Sequence, residues 1–155
     1  MAAGGSYTRP MGDNVTGGRF LGLDYGSRRI GVAVSDPLGL TAQPLPPIRR
    51  EGDRKDIVAI ARLAAEMGVT SVVLGLPLLF NGDEGPAAVR ARAFGERMQA
   101  ETSLPVTMWD ERLTSVQSER HLIASGVRRE ERKGIRDSLS AMFLLQTALD
   151  ARRRK

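Results

Sequence analysis

The sequence contains no cysteine among its 155 residues, which excludes disulfide bonds, thiolate zinc sites and cysteine nucleophiles. Histidine is almost as scarce, and the single one, His121, has no partner at the spacing of a metal ligand. No apolar run approaches the roughly 20 residues that span a bilayer, and the N-terminal segment lacks the apolar centre of a secretory signal. These absences predict a cytoplasmic protein that does not associate with membranes.

Basic residues, by contrast, are abundant. Lysine and arginine number 23 against 18 acidic residues, so the net charge is +5 and the isoelectric point is about 10.4. One cluster precedes the last apolar helical segment, and another ends the chain. The first consists of Arg128, Arg129, Arg132, Lys133 and Arg136, and the second of Arg152, Arg153, Arg154 and Lys155. Such clusters suit a polyanion such as nucleic acid, although a solvated basic face would have the same composition.

The length of the chain suits one domain with a sizeable core. Residues 1–18 are rich in small and polar residues and have no apolar period, so we expect a leader without regular structure. Residues 19–150 carry the periodic segments and form the predicted domain. Residues 151–155 are a basic tail.

The first half of the predicted domain is rich in β-strand signals. Two β-rich segments, Phe20 to Tyr25 and Arg29 to Ser35, are joined by the short turn Gly26-Ser27-Arg28, which predicts a hairpin. A third segment, residues 40–48, contains three prolines and can only be an edge strand or an extended loop.

Helical periodicity then alternates with apolar runs. The sequence predicts a helix between an Asp53 cap and Gly68, a buried strand 69–76, a helix from Pro86, a strand 104–109, a helix opened by a Thr114–Gln117 capping box, and a last helix from about Arg136. Hairpin strands followed by βα alternation indicate a mixed five-stranded sheet with helices on both faces.

Three acidic residues stand at the ends of apolar segments. Asp24 interrupts an apolar strand, where an ionised carboxylate requires a cation, a donor network or water. Glu111 and Asp110 follow the last strand, and strand alternation points them to opposite sides unless the strand ends at Trp109. Asp137 opens the last helix. Mg²⁺ prefers hard oxygen ligands, so these acids are candidate metal ligands, although each alone could be a surface residue or a helix cap.

The element order with these acids resembles the ribonuclease H-like fold, and the local motifs resemble the YqgF (RuvX) family from about Arg19 to Asp150. The motifs are Leu21-Gly22-Leu23-Asp24-Tyr25-Gly26, Arg29-Ile30-Gly31-Val32-Ala33-Val34-Ser35-Asp36, Gly75-Leu76-Pro77-Leu78, Asn81-Gly82-Asp83-Glu84-Gly85-Pro86 and Asp110-Glu111-Arg112-Leu113-Thr114. The resemblance implies a nuclease that cleaves branched DNA such as Holliday junctions, matures the 5′ end of pre-16S rRNA, or does both.

Carried over residue by residue, the resemblance implies that Asp24, Glu111 and Asp137 are the catalytic residues and the ligands of Mg²⁺ or Mn²⁺. Asp110 is the alternative to Glu111, or else orients Arg112 or caps the next helix. The expected nucleic-acid contacts are Arg28, Arg29, Arg112, Arg128, Arg129, Arg132, Lys133 and Arg136. The last helix offers one acid near its start where RuvC-type resolvases present two, which suggests weaker metal binding or junction cleavage.

Several alternatives stay open at this point. The chain could be a non-catalytic nucleic-acid-binding factor, whereas an actin-like or sugar-kinase ATPase would need two copies of this fold. The Asn81 to Gly85 loop could close over a bound strand or simply enter a helix. Tyr25 and Trp109 could stack on bases or pack internally. The sequence does not distinguish DNA from RNA as the substrate, or a monomer from a homodimer.

Overall fold

The computed structural model describes residues 18–112 and 129–154, with side chains described outside 129–137. Within these ranges the strands are β1 (Arg19–Tyr25), β2 (Arg29–Ser35), β3 (Ala42–Arg49), β4 (Val69–Leu76) and β5 (Val106–Asp110). The helices are α1 (Asp53–Met67), α2 (Pro86–Thr102) and α3 (Arg129–Arg153). No helix among the described residues is both long and apolar enough to cross a bilayer.

The strands form one five-stranded mixed sheet in the order β3-β2-β1-β4-β5. β1, β2 and β3 pair antiparallel, whereas β4 is parallel to both β1 and β5. The proline-rich strand β3 lies at the edge, as predicted, because proline has no N–H to donate to a second neighbour. β4 therefore lies between β1, which carries Asp24, and β5, which precedes Glu111.

The core is divided between the two faces of the sheet, which confirms helices on both sides. Helices α1 and α2 cover one face through an apolar cluster that includes Ile60 and Phe94. Helix α3 covers the other face and approaches β1 closely. A Cβ atom at Gly22 would lie 2.8 Å from the Leu145 Cβ and 3.0 Å from the Ala141 carbonyl oxygen. This glycine lets the helix backbone rest directly on the strand.

Two helix starts differ from the prediction. Helix α3 begins at Arg129 rather than near Arg136, so much of the basic cluster lies within the helix. Charged residues of high helix propensity occupy its first turns, and the single Gly134 costs only about 1 kcal/mol, too little to end it. Helix α1 is capped by Gly52 and not by Asp53, whose carboxylate binds Tyr25 and Arg50 instead. The predicted Thr114–Gln117 capping box lies outside the described residues.

The described ends of the chain can be compared with the predicted leader and the predicted basic tail. Residues 1–17 of the predicted leader lie outside the description. Helix α3 continues as far as Arg153, into the segment predicted as a basic tail. There the Arg152 guanidinium lies 5.2 Å from the Phe20 ring centroid, so this residue packs on the first strand.

Candidate active site

The carboxyl ends of the three parallel strands meet at one edge of the sheet, where α/β sheets commonly bind ligands. Asp24 is the penultimate residue of β1, and Glu111 directly follows β5. The backbone N–H of Glu111 donates to the Leu76 carbonyl oxygen at 3.3 Å, which ties the end of β5 to the end of β4. The sheet thus brings together two acids that are far apart in sequence.

The side chains of Asp24 and Glu111 meet in a carboxyl–carboxyl hydrogen bond. Burial is the main cause that raises the pKa of Glu111 to about 9, and the charge and hydrogen bond of Asp24 raise it further. The Glu111 carboxylate crosses β4 over Gly75, where a Cβ atom would overlap it. Two facing carboxyl groups that share a proton form the kind of oxygen-rich pair that a cation would neutralise.

Asp110 has a different partner. Its carboxylate forms a two-pronged ion pair with the Arg112 guanidinium, with N–O distances of 2.9 Å to Nε and 2.6 Å to Nη2. Burial works to raise the pKa of Asp110, but the hydrogen bonds from Arg112 outweigh it and hold that pKa below its ordinary value. Arg112 also donates to the Phe80 carbonyl oxygen at 3.3 Å. Asp110 therefore orients Arg112, the alternative role considered for it, while Glu111 faces Asp24.

Asp137 lies in helix α3, but its side chain is outside the description. Helix α3 runs antiparallel to β1, because Ala141 lies on Gly22 whereas Arg152 lies on Phe20. Among the described side chains, no group of three or more acids, histidines or cysteines could hold a metal ion. The described part of the site is thus the pair of Asp24 and Glu111.

A basic cavity of about 630 Å³ opens at the same edge of the sheet, beside the β1–β2 turn. Its lining comprises Ser27, Arg28, Arg29, Arg49 and Arg50. Arg28 and Arg29 were expected at a nucleic-acid surface, whereas Arg49 was not, because only the β2–β3 register places it opposite Arg29. Of the other predicted contacts, Arg112 engages Asp110, and Arg128, Arg129, Arg132, Lys133 and Arg136 have side chains outside the description.

Arg50 fixes the turn that follows Asp24. Its guanidinium donates to the Gly26 carbonyl oxygen at 2.9 Å, and it lies 4.4 Å from the ring centroid of Tyr25. It also pairs with Asp53 at 2.5 Å and with the buried Asp56 at 2.6 Å. The Tyr25 hydroxyl donates to Asp53, so this tyrosine packs internally rather than facing a base. This network was not predicted, because it joins residues 25–26 to residues 50–56, two stretches that are distant in the chain.

The fold places the chain in the ribonuclease H-like class. It is similar to RuvC of Thermus thermophilus, solved in complex with a Holliday junction substrate, with a TM-score of 0.55 and 13% identity over 88% of this chain and 96% of that chain. A second Thermus thermophilus RuvC structure gives a TM-score of 0.50 with 16% identity over the same shares of the two chains. At these identities the likeness concerns the fold alone.

The sequence comparisons are more specific. The family model RuvX, described as Holliday junction resolvase, matches residues 18–151, and the chain belongs to this family. A protein of Myxococcus xanthus named "Putative pre-16S rRNA nuclease" is 46% identical over 87% of this chain and 89% of its own length. A Moorella thermoacetica protein of the same name is 46% identical over 85% of this chain and 94% of its own length.

Proposed function

We propose that this protein is a nuclease that depends on Mg²⁺ or Mn²⁺ and hydrolyses phosphodiester bonds with Asp24, Glu111 and Asp137. The observation that carries the proposal is the pairing of Asp24 with Glu111 across Gly75 at the carboxyl edge of the sheet. The proposed substrates are the 5′ end of pre-16S rRNA, branched DNA such as Holliday junctions, or both.

The donor set suits a hard divalent cation. Asp24 and Glu111 offer carboxylate oxygens, the ligands that Mg²⁺ prefers, and burial penalises their joint ionisation unless a positive charge joins them. Asp24, held by a central strand, would hold the ion together with Glu111. A bound divalent ion lowers the pKa of water and stabilises the leaving oxygen of a phosphodiester. The chain itself positions the carboxylates, because Gly75 leaves room for the Glu111 side chain over β4.

The path of helix α3 supports Asp137 as the third ligand. Asp137 precedes Ala141 by four residues, or about 6 Å of helix rise. Asp24 follows Gly22 by two residues, or about 6.6 Å of strand rise. Because Ala141 lies on Gly22 and the two elements are antiparallel, these steps bring the backbone of residue 137 level with Asp24.

Positive charge beside the acids supports a nucleic-acid substrate. Arg28, Arg29 and Arg49 line the cavity at the same edge, and none of them forms an ion pair with a described carboxylate. Arginines without an ion pair among the described residues suit the phosphates of a nucleic-acid backbone. The names of the relatives point to precursor rRNA, and the RuvC structure was solved with a Holliday junction. The proposal therefore includes both substrates.

The test is a cleavage assay on labelled pre-16S rRNA and a labelled four-way junction, with Mg²⁺, with Mn²⁺ and with chelator. Wild type should cut at least one of the two substrates when Mg²⁺ or Mn²⁺ is present and neither substrate in chelator. Asp24→Asn and Glu111→Gln should each cut that substrate more slowly by orders of magnitude. Glu66→Gln, at an exposed position on α1, is the matched control and should cut normally.

The second candidate function is a non-catalytic nucleic-acid-binding factor, which the basic cavity alone would support. It predicts binding without cleavage under every metal condition, and equal binding by wild type and Asp24→Asn. Cleavage that resists chelator, or that survives both acid substitutions, would reject the proposed metal site while leaving the family membership unaffected.

A further inference from the structure

Phe80 is the most exposed large apolar side chain in the described part of the chain, with a relative exposure of 100%. Its neighbour Leu79 packs beside Gly85, where a Cβ atom would come within 3.0 Å of the leucine side chain. Of these two adjacent apolar side chains, only Phe80 is fully exposed to solvent. A fully exposed phenylalanine leaves a large apolar area hydrated, and burying that area against a ligand is favourable.

The loop that carries Phe80 is internally bonded. The Leu79 N–H donates to the Asp83 carbonyl oxygen at 2.9 Å, and the Gly82 N–H donates to the Leu79 carbonyl oxygen at 2.8 Å. The Asp83 N–H donates to the Asn81 side chain at 2.9 Å. These bonds hold the loop backbone on both sides of Phe80, so the position from which the ring extends is fixed.

The loop is also tied to the candidate active site. Arg112, which is paired with Asp110, donates to the Phe80 carbonyl oxygen at 3.3 Å. Arg112 immediately follows Glu111, so the loop is bonded to the residue next to one member of the acid pair. The loop itself starts from the carboxyl end of β4, the strand that Glu111 crosses.

We infer that Phe80 stacks on an unpaired base of the nucleic acid bound at this edge, next to the position of cleavage. This inference rests on the proposed function and narrows it to substrates with an accessible base face. The basic cavity beside the β1–β2 turn suits phosphates. The loop that carries Phe80 also carries the acidic Asp83, which disfavours a phosphate contact. An aromatic ring beside an acid suits the uncharged face of a base, and each stacked base contributes about 1–3 kcal/mol.

The test measures binding, so that it does not depend on cleavage. Affinities are measured in Mg²⁺ in the Asp24→Asn background, with a short labelled single-stranded RNA and with the same sequence as a blunt-ended duplex. Adding Phe80→Ala should weaken binding of the single strand by about 5- to 150-fold, and Phe80→Trp should retain it. Duplex affinity should change by less than about twofold, because paired bases offer no free face in the middle of the strand.

Val58→Ala is the matched control, since Val58 is an apolar residue of α1 with a relative exposure of 52%. It should leave both affinities unchanged. Equal losses on single strand and duplex, or no loss on either, would overturn the stacking inference, as would a lowered melting temperature of Phe80→Ala. A protein that binds single strands through Phe80 but never cuts them would instead overturn the proposed function alone.

Discussion

The carboxylate of Glu111 lies directly over Gly75, on the strand that separates Glu111 from Asp24. Asp24 belongs to β1 and Glu111 follows β5, and these two strands are not neighbours, so the contact of the two acids requires one side chain to cross β4. A Cβ atom at position 75 would occupy the place of the carboxylate. The absence of a side chain at Gly75 is therefore what allows the acid pair to form.

Gly75→Ala should separate the acids without removing either of them. The methyl group displaces the Glu111 carboxylate, and a displacement of about 1 Å at a catalytic group can cost about 100-fold in rate. Gly95→Ala is the control, because it crowds Met108 and Leu74 on the opposite face of the sheet. Both variants should lose about 1–3 kcal/mol in urea unfolding, but only Gly75→Ala should lose cleavage per folded molecule. Equal rates for the two variants would contradict the crossing arrangement.

The pH dependence of stability should report the proton on Glu111. The pKa of Glu111 is raised from 4.5 to about 9, so the folded state keeps this proton where the unfolded chain has lost it. The contribution of Glu111 to the free energy of unfolding of the metal-free protein should therefore be greatest below pH 4.5. It should fall as the pH rises towards 9. Urea unfolding in chelator across this range should show the decline, and Glu111→Gln should flatten it. A wild-type curve parallel to that of Glu111→Gln would show that Glu111 ionises normally.

Arg50 should matter more for stability than its partly exposed position suggests. Replacing it by Met leaves the buried Asp56 without its charged partner, and breaking a buried pair in this way costs about 3–5 kcal/mol. The exposed pair of Arg97 and Glu101 provides the comparison, since Arg97→Met should leave urea unfolding nearly unchanged. Similar midpoints for both variants would mean that the network around Tyr25 contributes little.

The basic cavity should be visible in the salt dependence of binding. Each phosphate contact on duplex DNA adds about 0.9 to the log–log slope, so Arg28→Ala with Arg49→Ala should reduce it by up to about 1.8. Arg62→Ala with Arg97→Ala removes the same charge from exposed helix positions and should leave the slope unchanged. The comparison is a titration of labelled duplex at several salt concentrations. Equal slopes for the two double variants would assign the cavity arginines to a solvated surface.

Much of the fold was accessible to sequence reasoning because its signals are local. The turn after Asp24 and the prolines of β3 predicted a hairpin and an edge strand, and both are confirmed. The predicted start of α3, near Arg136, is seven residues too late, because the prediction put the basic cluster before the helix rather than within it. The prediction that Asp53 caps α1 was wrong, because its carboxylate binds Arg50 and the distant Tyr25, and the contact with Tyr25 depends on the tertiary fold.

The site was only partly accessible for the same physical reason. Asp24 stood out as an acid in an apolar strand, and the family resemblance selected Glu111, which does face Asp24. The need for Gly75 depends on knowing that β4 lies between β1 and β5, and the place of Arg49 depends on the β2–β3 register. Neither the strand order nor the register can be predicted from local periodicity. The role of Asp137 stays a prediction, because its side chain lies outside the description.

The most direct test of the metal site is a calorimetric titration of Mn²⁺ into wild type, Asp24→Asn, Glu111→Gln and the control Glu66→Gln. If Asp24 and Glu111 hold the ion together, wild type and Glu66→Gln should bind with the same affinity and release a proton as Glu111 ionises. Either substitution within the pair should weaken binding by at least about tenfold, and Glu111→Gln should abolish the proton release. Equal affinity and equal proton release in all four proteins would show that the paired carboxylates are not the metal site.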